Sequence, residues 1–191
     1  MTFLTATLGL AAGCGASPPA SVPRRSDAAA PAPASSAEAF LQQGDGYFDR
    51  DDYDGAIEAY SQAIALKPDF AEAYNNRGYA YFRRGDRLNG SPADKDDLTR
   101  AIADYDRAVA LRPDYGYAYN NRGIAEYDLG EYDRAIADHS QALQLDPNND
   151  SALVHRGNAY SAKGDLALAL ADWNRATVLR LARNVSGQPQ H

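Results

Sequence analysis

Glycine, alanine and proline recur along this chain at one common interval. Gly44, Gly78, Gly123 and Gly157 are spaced by 34, 45 and 34 residues. Ala56, Ala101, Ala135 and Ala169 step by 45, 34 and 34, and Pro68, Pro113 and Pro147 by 45 and 34. Independent marks therefore share a period of 34, and the interval of 45 is that period plus one 11-residue insertion. A unit of this length is one supersecondary motif. It cannot bury its apolar face alone and must stack on its neighbours.

Within each unit the periodicity is helical. An aromatic residue or Leu (Phe40, Tyr74, Tyr119, Leu153) stands four residues before a glycine, which places the two on one helical face. Glycine inside a helix costs about 1 kcal/mol against alanine, so its recurrence predicts close approach of a partner helix. The second helix supplies small residues, Ala56 and Ala63 and their counterparts, with a large ring between them: Tyr60, Tyr105, His139 and Trp173. Large beside small is how antiparallel helices interlock. Gly85, Gly130 and Gly164 are expected as C-caps of the first helices, and the prolines close the second. In the insertion, Ser91-Pro92-Ala93-Asp94 reads as a helix start, with Ser91 as N-cap and the helix running from Pro92 to Arg112. A spare surface loop is the plainer alternative.

These residues resemble the tetratricopeptide repeat, a 34-residue helix–turn–helix family. The resemblance covers residues 37–183 as four units, 37–70, 71–115 (with the insertion near 87–97), 116–149 and 150–183, followed by a tail at 184–191. It implies an all-α fold, a right-handed α-solenoid of eight helices. Two departures stand out: Leu181 replaces the closing proline, and Glu126 takes a slot that is usually aromatic. The resemblance also implies a concave groove lined by the first helices. Its inward positions give Asn75, Asn76, Tyr79 and Phe82 in the second unit, Tyr117, Asn120, Asn121 and Tyr127 in the third, and His155 and Asn158 in the fourth. Asn offers donors and acceptors to a peptide backbone, and Tyr a flat apolar face with a polar tip. Solvated helix positions are the alternative reading of the asparagines. Relatives that clamp a chaperone's C-terminal carboxylate use two lysines, an arginine and two asparagines. Here only Asn76 matches, with Leu41, Asp45, Tyr117 and Asn121 at the other positions.

The expected partner is a protein or peptide. The formal net charge is -7; residues 1–36 carry a net +1 and the remainder -8. An acidic body without a basic stripe argues against nucleic acid. The N-terminus, residues 1–13, is small and apolar, and Ala11-Ala12-Gly13-Cys14 resembles a bacterial lipoprotein cleavage box. That resemblance implies a signal peptide cut before Cys14, lipid on its sulfur, and a place in the periplasm, with the outer membrane favoured by Gly15 after the cysteine. An unprocessed leader is the alternative. Residues 14–36, rich in Pro, Ala and Ser, are expected to form a disordered tether.

No constellation for catalysis, metal or a cofactor emerges. His139, His155 and His191 have no ligand spacing, and Cys14 is the only cysteine. His139 occupies a ring slot and is expected to be packed. Asp104 and Asp138 recur with the period and are expected on solvated faces. At the C-terminal end, Leu168, Val178 and Leu181 add apolar side chains where an open solenoid end needs a polar cap. That surface is expected to meet a second copy, as in a homodimer, or another partner.

Overall fold

A computed structural model describes residues 36–86 and 92–186. The apolar leader, Cys14, the tether up to residue 35, Ser91 and residues 187–191 lie outside the described residues. Eight helices are present among those described: α1 (Ala37–Phe48), α2 (Tyr53–Leu66), α3 (Ala71–Asp86), α4 (Pro92–Leu111), α5 (Gly116–Asp128), α6 (Tyr132–Leu145), α7 (Asp150–Lys163) and α8 (Leu166–Ser186). Each odd-numbered helix packs on the even-numbered helix after it, and each pair on the next pair. The result is the all-α solenoid that the repeat predicts.

Local chemistry sets the helix ends. Ser36 Oγ accepts from the Ala39 amide at 3.1 Å, Asp52 from Gly55 at 3.0 Å and Asn149 from Ala152 at 2.9 Å. Each satisfies an amide that the first turn leaves without a partner. Gly130 and Gly164 adopt φ of 82° and 90° just past α5 and α7, the left-handed conformation that stops a helix. Gly85 departs from expectation. It lies buried inside α3, which continues to Asp86, and it caps nothing. α4 starts at Pro92, where the insertion's sequence places a helix start. α8 passes through Leu181 to Ser186, because no proline stands there to end it.

The recurrent glycines are contact points. A Cβ on Gly44 would come within 2.4 Å of the Tyr60 ring, on Gly78 within 2.9 Å of Tyr105, on Gly123 within 2.8 Å of His139, and on Gly157 within 2.6 Å of Trp173. Each ring thus lies against the glycine backbone of its own unit's first helix. Tyr60, Tyr105 and His139 are almost wholly buried.

A second register joins the layers. Arg77 makes two hydrogen bonds to Asp104 at 2.8 and 2.7 Å, Arg122 two to Asp138 at 2.6 and 2.7 Å, and Arg156 two to Asp172 at 2.8 Å. The same guanidinium reaches back to the preceding unit: Arg77 to Ser61, Arg122 to Asp106, Arg156 to Ser140. The two carboxylates expected on solvated faces, Asp104 and Asp138, are therefore buried. Burial of a charge is tolerated because a two-pronged arginine satisfies both oxygens.

Candidate functional site

The first helices lie side by side, α1 against α3, α3 against α5, and α5 against α7. A ladder of side-chain amides runs across three of them. Asp45 Oδ1 accepts from Tyr60 Oη at 2.7 Å and from Asn76 Nδ2 at 3.1 Å. Asn75 Nδ2 donates to Asn76 Oδ1 at 3.1 Å, and Asn121 Nδ2 donates to Asn75 Oδ1 at 3.1 Å. The asparagines are thus neither freely solvated nor idle. Asn76 and Asn121 are half-buried, whereas Asn75 and Asn120 are buried. Only the first two retain surface for a ligand.

At one end of the ladder stands an aromatic cluster. Phe48 stacks on Tyr79 with centroids 5.2 Å apart, and Tyr79 stacks on Phe82 at 6.2 Å. Arg83 lies over the Tyr79 ring at 5.9 Å. All three rings remain partly exposed.

At the other end residues of the third and fourth units meet. His139 Nδ1 lies 3.2 Å from Asn120 Oδ1. An amide oxygen only accepts, so Nδ1 carries the proton and the buried Nε2 is left without a partner. His155 stacks on His139 at 5.7 Å. Burial pushes the His139 imidazole down to about 3, with the neighbouring His155 and Arg156 adding to the effect. Trp173 Nε1 donates to Asn158 Oδ1 at 3.1 Å, in the same register as Tyr60 to Asp45.

Two expected groove residues stand apart. Tyr117 is 69% exposed and meets Tyr115 edge-on at 6.5 Å. Both line a cavity of about 400 Å³ with Arg112, Leu145 and Asn149, at the connections between units. Tyr127 packs on Tyr132 at 5.3 Å. Beside it is a group that the groove reading did not include. Glu126 is buried, its Oε1 lies 2.9 Å from Arg134 Nη2, and its Oε2 has no partner. Burial, with Asp138 nearby, pushes its carboxyl up to about 7.

Among the described residues no group of three or more His, Cys, Asp or Glu could hold a metal ion. No described helix is long and apolar enough to cross a membrane.

Comparison with known proteins agrees with the repeat fold. Residues 44–85 match a TPR repeat model and residues 116–149 a tetratricopeptide repeat model. The first TPR of Spaghetti (RPAP3), solved with the HSP90 peptide SRMEEVD, is 30% identical, covering 69% of this chain and 95% of that one, with a TM-score of 0.61. MamA is 28% identical over 78% of this chain and 80% of that one, with a TM-score of 0.68. The human serine/threonine-protein phosphatase 5 is 49% identical over 47 residues, 25% of this chain but only 9% of that protein.

Proposed function

Because the chain belongs to the tetratricopeptide-repeat family, we propose that it is a non-enzymatic scaffold holding an extended peptide or protein segment along α1, α3, α5 and α7. The observation that carries this reading is the pairing of a fixed amide ladder with the partly exposed stack Phe48–Tyr79–Phe82. The ladder holds Asn76 and Asn121 in place before a ligand arrives, which lowers the entropic cost of binding. The stack offers apolar area to one side chain of the segment. A structural neighbour with a bound peptide supports the general mode.

The ligand chemistry differs from an acidic chaperone tail. Asp45 and Leu41 stand where a carboxylate clamp needs donors. The favoured segment is internal, with an aromatic or aliphatic anchor and no need of a free C-terminus. Binding of immobilised random peptides by the native chain and by Phe82→Glu tests this. Loss of aromatic-containing ligands in the variant, with helix content unchanged, supports the reading. Equal binding by both, or none by the native chain, contradicts it.

We further propose that Cys14 carries a lipid and that residues 14–36 tether the body to a bacterial envelope membrane from the periplasmic side. The small residues before Cys14 and the Pro/Ala/Ser composition after it support this. Labelled palmitate should enter the native chain and not Cys14→Ser; equal labelling, or none in either, contradicts the anchor. A second reading, self-association, rests on α8, where Leu168, Val178 and Leu181 are 50%, 64% and 60% exposed.

A further inference from the structure

The two ends of the solenoid carry the two halves of its own internal junction. In each junction a small-residue face of a first helix covers the second helix before it. Ala73 and Ala80, Ala118 and Ala125, and Ala152 and Ala159 are all fully buried. Ala73 and Ala80 pack with Ala56, Tyr60 and Ala63 of α2 and its partly buried Ile57 and Ile64. The corresponding residues of α1 are Ala39 and Gly46, and no described helix precedes them.

The other half is on α8. Ile57, Ile102 and Ile136 occupy one register position and are buried or half-buried. The same position on α8 is Leu170, which is 55% exposed, and Leu166 one turn earlier is 59% exposed. These leucines are uncovered because no described helix follows α8.

Polar register agrees with apolar register. Ser61, Asp106 and Ser140 each accept from an arginine of the next first helix, and the matching residue of α8 is the exposed Asn174. Where those arginines stand, α1 has Gln43, exposed beside a cavity of about 220 Å³. One amide donates to another without loss of fit. Asn76 donates to Asp45 across the first junction; in the same register Gln42 would reach Asn158, which already accepts from Trp173 as Asp45 does from Tyr60.

Charge points the same way. Residues 37–70 hold eight acidic and two basic residues, a net -6. Residues 150–183 hold three acidic and five basic, a net +2. Like ends repel or gain nothing, while opposite ends attract.

We infer that the chain stacks head to tail on a second copy of itself, the α8 face (Leu166, Leu170, Asn174) of one copy receiving the α1 face (Ala39, Gln43, Gly46) of the next. Such a contact is heterologous and does not close, so it lengthens with concentration where a two-fold dimer would stop. It goes beyond the groove reading and does not depend on it.

The test is the mass of the full chain by sedimentation from micromolar to millimolar concentration, for the native chain, Leu170→Arg and Gly46→Arg. Both substitutions fit the fold: Leu170 is exposed, and the nearest atom to a Cβ on Gly46 is Arg50 Nη1 at 3.8 Å. Leu166→Arg and Ala39→Arg replace either variant whose helical circular dichroism is not native. The native chain is expected to pass beyond dimer mass, more readily at low salt. Each variant alone should be monomeric, and their mixture should give one-to-one dimers and nothing larger. A native chain monomeric throughout overturns the inference. So does a Gly46→Arg chain that still dimerises, which marks a symmetric α8 pair, or a mixture that forms no dimer.

Discussion

Gly123 and His139 touch so closely that a single methyl group cannot be placed between them: a Cβ on Gly123 would lie 2.8 Å from His139 Cε1. On helix propensity alone Gly→Ala gains about 1 kcal/mol. Here overpacking against a buried ring wins, at about 1–3 kcal/mol. Gly123→Ala should therefore lower the urea midpoint. Gly46→Ala, on the same kind of helix but with only an ordinary contact at 3.8 Å to Arg50 Nη1, should raise stability by about 0.5–1 kcal/mol. Equal effects of the two would show that the register of glycine against ring does not decide stability.

Removing one partner of a buried ion pair strands the other. Asp138 is buried and both its oxygens are held by Arg122. Arg122→Ala is expected to cost about 3 kcal/mol, and Arg122→Leu with Asp138→Leu should recover most of that loss. Denaturant melts of the single and double variants measure both values.

Two buried groups give stability opposite slopes with pH. Glu126 is held up at about 7 against an ordinary 4.5, so the folded state binds more protons than the unfolded one between those values. Its contribution is full below about 4.5 and is lost as pH rises through 7. Glu126→Gln should thus raise the melting temperature at pH 8 and change it little at pH 4.

His139 works in the other direction. Its imidazole is held down at about 3 against 6.5, so the unfolded state binds the extra proton, and stability falls as pH drops below 6.5. His139→Tyr restores the ring found at Tyr60 and Tyr105 and should be more favourable at pH 4 than at pH 7. A melting-temperature difference independent of pH would contradict the assignment of a neutral, buried imidazole.

Much of the fold was legible because glycine, alanine and ring residues report close packing by their size alone. The buried carboxylates were not, because a periodic Asp looks the same whether it faces water or an arginine. The signal was present: Arg77, Arg122 and Arg156 step by 45 and 34, and Asp104, Asp138 and Asp172 by 34 and 34. Arg to Asp registers only when both helices of a unit are laid side by side. Gly85 matches Gly130 and Gly164 in sequence, but its helix continues to Asp86. In the candidate site, residue types were readable and their bonds were not. Asn75 and Asn121 are 46 residues apart, so their pairing depends on how units stack. Leu170 fills an ordinary apolar slot in the sequence, and only the absence of a following described helix leaves it uncovered.

Binding of an extended segment along the row of first helices is open to direct observation. The most direct measurement is an amide and side-chain NMR titration of the full chain with a peptide selected from the random pool. Shifts are expected at the Asn76 and Asn121 side-chain amides and at Phe48, Tyr79 and Phe82, with the second helices little changed. Saturating peptide that shifts α2, α4, α6 or α8 while leaving those residues untouched would contradict it.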